Sequence, residues 1–418
     1  LIYKDGEYHI FYQYSPGDPN PGPKYWGHAK SADLCEWVEL PPALSPDELG
    51  ECFSGTATQI SGPVAQELAA TTESTLLFYT SHLKRPGQIG LEAQCIALGD
   101  ADLARFDKFE HNPVLPNPGR RDFRDPKVFW HSDSGHWILL VSLGSSLGFY
   151  RSQDALHWEA CDEFRIEHPI PESEPWECPD LVCFPGDSEH SAIWMLIAGT
   201  KHGDGLGGSA TRYFLGTFDG QVFKCTRGHN EVLWLDRGRD FYAAQTFSGD
   251  SVGGPLVMAW VGNWLYARDT PASEFRGSLS LPRRLELVHD KEQPVLRQFV
   301  DRSVANRFPV HNVVATPGRQ TYHPPGATYR ITITIPKGQI EYLALCLFGE
   351  ATKHLQLDWR VDNGTCHAKV DRSEVVGMHN THFSCERKML LEHDDIHELD
   401  LFVDNGIVEI SMGQGSCW

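Results

Sequence analysis

"SADLCEW", residues 31–37, follows an apolar run of strand length, and the same pattern comes back as "SQDALHW", residues 152–158. The common element is an aspartate followed four residues later by an aromatic: Asp33 with Trp37, Asp102 with Phe106, Asp154 with Trp158 and Asp219 with Phe223. Successive aspartates stand 69, 52 and 65 residues apart, the length of one small sheet with its turns. A sheet of that size cannot bury both of its faces alone, so repetition at this interval predicts the blades of a β-propeller. A chance aspartate–aromatic spacing in an aromatic-rich β-sandwich is the competing reading.

The rest of the chain agrees with an all-β fold. Strand-length runs such as "YHIFYQY", "TLLFYT", "HWILLVSL", "AIWMLIAGT", "RYFLGTF" and "PLVMAWVG" are separated by Gly, Pro, Asp and Ser clusters, with no sustained helical period. After about residue 300 the texture changes. "TYRITITIP", "HLQLDWRVD", "ELDLFVD" and "IVEISM" alternate apolar with polar residues, as half-buried strands of a second, smaller sandwich do. The 418 residues are enough for two cores. We expect a propeller over residues 1–297, its first blade incomplete, and a sandwich over 298–418, short at its end. "ELDLFVDNGIVEI" reads as a hairpin turning at Asp404-Asn405-Gly406.

Composition excludes several classes. A formal charge of −20, with no Lys/Arg-rich run, opposes nucleic acid and anionic membranes, and no apolar stretch reaches membrane-spanning length. Eleven cysteines without a C-x-x-C pair read as buried free thiols, Cys346 in "YLALCLFG" among them. No cofactor or metal is expected: His393 and His397 in "LEHDDIHELD" have zinc spacing only on a helix, and "GDGLGGS" at 203–209 lacks the Lys-Ser/Thr of a phosphate loop. Asn363-Gly364-Thr365 is a sequon permissive for secretion.

Two carboxylates carry candidate chemistry. In "RRDFRDPKVFW", Arg124 and Asp125 stand just ahead of Pro126 and a strand; an aspartate beside an arginine is expected to stay ionised and to accept hydrogen bonds from vicinal sugar hydroxyls. A structural ion pair is the alternative. In "EPWECPDLVCF", Glu177 lies between Trp176 and Cys178, where poor solvation would raise its carboxyl toward general-acid range; a surface loop glutamate is the alternative. Gln13, Trp26, Phe53, Ser54, Tyr242 and Trp264 stand at strand ends or in adjacent loops and suit sugar binding, which uses aromatic faces and bidentate amides. Packing within blades is the alternative for each aromatic.

These segments, in order "LIYKDGEYHIFYQY", "WGHAKSADL", "CFSGTAT", "FRDPKVFW", "WECPDL", "DFYAAQTF", "NWLYARDTP" and "SLPRRLEL", resemble glycoside hydrolase family 32, the invertases, inulinases and levanases. The resemblance implies a five-bladed propeller with a C-terminal β-sandwich, and retaining hydrolysis of β-fructofuranosides such as sucrose, inulin or levan. It aligns Glu177 with the acid/base and Asp125 with the aspartate that stabilises the transition state. Arg124, Gln13, Trp26, Phe53, Ser54 and Trp264 align with the substrate pocket. The family's nucleophile belongs to a Trp-x-Asn-Asp-Pro-Asn-Gly segment immediately before "LIYKDG", so the chain is expected to begin just past it. Asp18, in "SPGDPNPGP", falls in a variable loop of turn composition and is not expected to replace it. A fructosyltransferase and an inactive fructan-binding propeller are the alternatives. The family implies an extracellular location, with cytoplasmic members as the alternative.

Overall fold

The structure is a computed structural model. It describes residues 1–418 apart from 18–21, 70, 72, 85–89, 167–174, 187, 189, 202–206, 230, 251, 273–274, 291–292, 325, 337–339, 351–352, 363–364, 376–377, 379 and 391–397. Asp18, the Asn363-Gly364 pair, His393, His397 and most of the 203–209 loop therefore lie outside the described residues.

The fold is all-β. Five successive sheets fill residues 2–300, each with its strands in chain order, the simplest arrangement for strands joined by short turns. The first comprises Ile2–Lys4, Glu7–Tyr14, Tyr25–Ser31 and Val38–Leu44. The second comprises Glu51–Ser61, Glu73–Leu83, Leu91–Gly99 and Phe106–Lys108, with the helix Gly62–Ala69 between its first two strands. Arg124–His131, His136–Ser142, Leu147–Ser152 and Glu159–Phe164 form the third. Glu177–Phe184, Ile193–Thr200, Ala210–Phe218 and Phe223–Arg227 form the fourth, with Leu233–Trp234 added to its third strand. The fifth has Tyr242–Thr246, Leu256–Val261, Arg283–Asp290 and Gln293–Val300, with Ser278–Leu279 paired to its second strand.

The Asp-x-x-x-aromatic repeat is the turn between third and fourth strands in the first four sheets. Asp33 Oδ1 accepts the N–H groups of Cys35 and Glu36, both at 2.9 Å. Asp154 does the same for Leu156 and His157, and Asp219 for Gln221 and Val222. In the second sheet Asp100, not Asp102, takes the local N–H, from Ala104. The residue after each repeat aspartate is left-handed: Leu34 (φ 65°), Leu103 (54°), Ala155 (62°) and Gly220 (92°). The repeat aromatic then reaches the preceding sheet. Phe106 meets Phe11, Trp158 meets Phe78 and Phe223 meets Phe164 at centroid separations of 5.5–6.0 Å.

Apolar side chains from neighbouring sheets make one core per pair. Trp26 and Leu44 pack with Leu77 and Tyr79, Phe78 and Ile96 with Val128 and Leu139, Ile138 and Phe149 with Leu196 and Phe214, and Ile197 and Leu215 with Val257 and Leu285. The fifth core returns to the first sheet, joining Ile10 and Ala29 to Phe247, Leu256 and Met258. Backbone bonds agree: Tyr3 N donates to Ser248 O at 2.8 Å and Ser248 N to Leu1 O at 3.1 Å.

Two further sheets follow. Val310–Val314, Thr328–Thr334, Glu398–Asp404 and Ile407–Met412 form one, and Tyr342–Glu350, Lys353–Asp362, Thr365–Asp371 and Glu386–Leu390 the other. Alternation along these strands sends Ile333, Leu399 and Leu401 toward Leu355, Leu357 and Trp359 in one shared core. The hairpin turns as its sequence predicts, with Asn405 at φ 46° and Gly406 at φ 95°. None of the eleven cysteines is in a disulfide, but only Cys52, Cys95, Cys366 and Cys417 are buried; contrary to expectation six others are half-buried, and strand alternation leaves Cys346 exposed on the outer face. The boundary expected at 297/298 falls inside the strand Gln293–Val300.

Candidate active site

Arg124, Glu177 and Tyr242 each open the first strand of a sheet, and each is followed by a non-glycine residue in the left-handed region. These are Asp125 (φ 62°), Cys178 (φ 49°) and Ala243 (φ 51°). All three strands lose register at this point, between Arg124 and Lys127, Glu177 and Asp180, and Tyr242 and Gln245. Such bulges re-aim side chains, and a left-handed residue with a Cβ costs on the order of 1–3 kcal/mol unless its surroundings hold it. Non-local bonds hold it here. Asp125 N donates to Thr80 Oγ1 at 3.0 Å, Cys178 N donates to Asp125 Oδ2 at 2.9 Å, and the Gln245 amide donates to Cys178 O at 3.1 Å.

The re-aimed side chains converge on Glu177. Tyr242 Oη donates to its Oε2 at 2.6 Å, Arg124 Nη2 to its Oε1 at 3.2 Å, and Lys201 Nζ lies 3.3 Å away. Gly199 lies across the strand pair from Glu177, and a Cβ there would stand 2.9 Å from the Tyr242 ring, so the missing side chain lets that ring in. Trp176 does not flank the carboxylate as expected. Its ring is fully buried on the opposite face, beside Phe214, because successive strand side chains point opposite ways. The surroundings of Glu177 are cationic and hydroxylic, not apolar.

Arg124 is pinned from behind. Its Nη1 donates to Asp122 Oδ1 and reaches Glu92 Oε1 at 3.3 Å, while Glu92 Oε2 accepts the Phe123 N–H at 2.7 Å. Burial would raise the Glu92 carboxyl, but the His82 hydrogen bond, the Arg124 charge and the Phe123 N–H hold it below its usual range. Asp125 is different. Burial raises its carboxyl to about 6 and outweighs the nearby Arg124 charge, with the Glu177 charge adding to the rise. The neighbouring arginine was expected to keep it ionised, but burial moves the carboxyl the other way. Burial and the Glu177 charge push the Tyr242 hydroxyl well above the tyrosine range, so it remains a donor. Burial and the Asp125 charge do the same to the Cys178 thiol, which excludes a thiolate nucleophile there.

The remaining predicted residues lie on the flanks. Gln13 is exposed, its amide donating to Cys52 O at 3.0 Å, and Trp26 is a core ring whose indole N–H donates to Phe53 O at 2.9 Å. Phe53 stacks on His82 at 4.2 Å, and His82 meets Glu92 at 3.3 Å, which links this flank to Arg124. Ser54 occupies the register break between Phe53 and Gly55. Trp264 is 49 % exposed and lies 5.0 Å from Trp260, which stands 6.4 Å from Tyr242. Lys201, Glu92, His82 and Asp122 were not foreseen. Asp122 is two residues from Arg124 and was open to inspection; Lys201 follows the strand that pairs with the Glu177 strand, His82 and Glu92 reach Arg124 through packing of the second sheet against the third, and no local motif marks these three.

A single carboxylate braced by an arginine, a lysine and a tyrosine, beside a second, buried carboxyl at the end where the opening strands begin, is an arrangement suited to proton transfer. The chain belongs to the glycosyl hydrolases family 32, whose N-terminal domain matches residues 1–298. The levanase of Bacillus subtilis (strain 168) is 38 % identical over 290 residues, which cover 69 % of this chain and 42 % of the levanase. The extracellular exo-inulinase of Aspergillus awamori is 29 % identical over 99 % of this chain and 84 % of its own length. The crystal structure of exo-inulinase from Aspergillus awamori superposes with a TM-score of 0.85 at 28 % identity, covering 100 % of this chain and 88 % of that one. No helix among the described residues is long and apolar enough to cross a membrane.

Proposed function

We propose that this protein hydrolyses β-fructofuranosides with retention of configuration, fructans such as inulin and levan before sucrose. Glu177 is the acid/base, and Asp125 and Arg124 grip the fructosyl hydroxyls. The observation that carries the reading is the Glu177 carboxylate itself, held by Tyr242, Arg124 and Lys201 and joined to Asp125 through the Cys178 N–H. Tyr242 donates to one oxygen and Arg124 to the other, which fixes the plane of the carboxyl group. As acid, Glu177 gives its proton to the glycosidic oxygen as the bond to the anomeric carbon breaks. As base, it takes a proton from the water that releases fructose. Asp125, ionised above about pH 6, accepts from hydroxyls whose acidity grows as the ring gains positive charge, an interaction stronger in the transition state than in the ground state.

The scaffold proposed is a five-bladed propeller that ends with the fifth sheet at Val300, not at the expected 297, with Gln13, Trp26, Phe53, Ser54 and Trp264 on its substrate side, followed by a β-sandwich. The support is the run of five sheet-to-sheet cores, the last of which returns to the first sheet. The fructan preference and an extracellular location rest on the named relatives, a levanase and extracellular exo-inulinases.

Binding is measured on the 418-residue chain, and hydrolysis on that chain and on one with the family's Trp-x-Asn-Asp-Pro-Asn-Gly segment joined ahead of Leu1. Incubation with inulin, levan and sucrose should release fructose. Failure to bind or cleave all three would overturn the proposal.

A further inference from the structure

Trp264 stands on a short turn over residues 263–269, in which the N–H groups of Tyr266 and Ala267 bond to Asn263 O at 3.0 and 2.8 Å. The turn is bound from two sides. Asn263 Nδ2 donates to Arg239 O at 2.8 Å, which ties it to the segment leading into Tyr242. The other side belongs to the second pair of sheets. Arg372, directly after the strand Thr365–Asp371, sends Nη1 to Asp240 Oδ2 at 2.5 Å and Nη2 to Tyr266 Oη at 2.9 Å. Tyr266 Oη donates to Asp240 Oδ1 at 2.7 Å, so the three residues close a loop of hydrogen bonds.

We propose that Arg372 is a positioning residue for the sugar-binding end of the first five sheets, clamping the Tyr242 segment and the Trp264 turn in one arrangement. The inference rests on the fructoside reading of that site. Asp240 precedes Tyr242 by two residues and Tyr266 follows Trp264 by two, so one guanidinium holds both the segment whose Tyr242 bonds Glu177 and the turn that carries Trp264. A planar guanidinium fork serves two acceptors in fixed directions, whereas a lysine ammonium is a point charge on a flexible stem and fixes neither direction. The guanidinium also lies 4.2 Å from the Phe383 ring centroid, and that ring meets Tyr266 edge-on at 5.4 Å. Asn380, from the same region, adds a second tie, donating to Asp269 Oδ2 at 2.6 Å. A half-exposed tryptophan on an untethered turn would lose entropy on meeting a sugar, and anchoring the turn beforehand removes that cost.

The test uses the 418-residue chain, with Arg372→Met, Arg372→Lys and Tyr266→Phe made alone and with Trp264→Phe. Acrylamide quenching of Trp264, isolated as the difference between each variant and its Trp264→Phe partner, reports the order of the turn. Calorimetry with an inulin-type trisaccharide reports the site. Arg372→Met should raise the Trp264 quenching constant and weaken trisaccharide binding roughly tenfold, as small displacements of positioning groups do. Arg372→Lys should recover little of either. In the Trp264→Phe background, Arg372→Met should weaken binding further by much less than tenfold.

Unchanged quenching in a folded Arg372→Met protein, or losses that multiply in the double variant, would overturn the proposal. Should Arg372→Met fail to fold, Tyr266→Phe, which deletes only the shared hydroxyl, must move quenching in the same direction, and no movement overturns the clamp. If the unaltered chain binds no fructan while Arg372→Met still loosens Trp264, the substrate assignment falls and the clamp stands.

Discussion

The two ends of the sheets use one backbone device for opposite purposes. At the end holding the turns between third and fourth strands, Leu34, Leu103 and Ala155 are left-handed. At the end where the opening strands begin, Asp125, Cys178 and Ala243 are left-handed. In the turns the strain is settled within a few residues, by an aspartate accepting two nearby N–H groups, as Asp33 and Asp154 do. At the site it is settled by groups 45 to 67 residues away, Thr80 for Asp125, Asp125 for Cys178 and Gln245 for the Cys178 carbonyl. Local strain makes a turn, whereas strain held at a distance aims Arg124, Glu177 and Tyr242 at one point and makes a site.

Substitutions at the two ends should therefore differ in kind. The largest effect is expected at Glu177. Glu177→Gln keeps the hydrogen-bonding shape but removes the titratable proton, and should lower kcat on inulin by roughly 10²–10⁴-fold while leaving trisaccharide affinity close to that of the unaltered chain. Fructose-release kinetics with calorimetry on the same variant check this, and an unchanged kcat would move the acid elsewhere.

Asp125→Asn should trade function for stability. Burial raises the Asp125 carboxyl from 3.8 to about 6, so its protonated form is the one folding favours. The stabilisation from this group is complete below about pH 3.8 and is lost as pH rises through about 6. A shift of this size corresponds to about 2–3 kcal/mol against the native state at pH 7. Asparagine avoids that cost and tolerates the left-handed conformation. Asp125→Asn should thus be more resistant to urea than the parent at pH 7.5 and indistinguishable from it near pH 4. Equal resistance at both pH values would show that Asp125 is not charged at a cost.

The turn end should give the smallest change. Asp154→Ala removes the acceptor for Leu156 and His157 and should cost about 1 kcal/mol of stability, as lost caps do, with no change in kcat or KM. Urea titration and inulin kinetics read the two quantities. An activity loss there would mean that the two ends are coupled.

The same contrast explains what the sequence makes legible. The Asp-x-x-x-aromatic turns can be read from it because acceptor, left-handed residue and docking aromatic lie within five positions. Arg124, Asp125, Glu177 and Tyr242 are legible as members of short segments, and the structure gathers them. Lys201, Glu92 and His82 are not, because nothing near them in the chain records that strand pairing brings Lys201 to Glu177, or that packing of the second sheet on the third brings Glu92 and His82 to Arg124. The surroundings of Glu177 were misread for a related reason. Trp176 adjoins it in sequence, but strand alternation points the two side chains apart, and the carboxylate meets residues from 24 to 65 positions on instead. Asp102 misleads in a smaller way, since the N–H bond in its turn goes to Asp100.

The central claim is that Glu177 moves the proton and Asp125 holds the sugar. Fructosides with poor and with activated leaving groups, given to the N-terminally extended chain and its Glu177→Gln and Asp125→Asn variants, test that division most directly. An activated leaving group needs no proton to depart, so it should restore most of the first-step rate to Glu177→Gln and little to Asp125→Asn, whose task is independent of leaving-group acidity. The same rescue in both variants, or rescue of Asp125→Asn alone, would contradict the account.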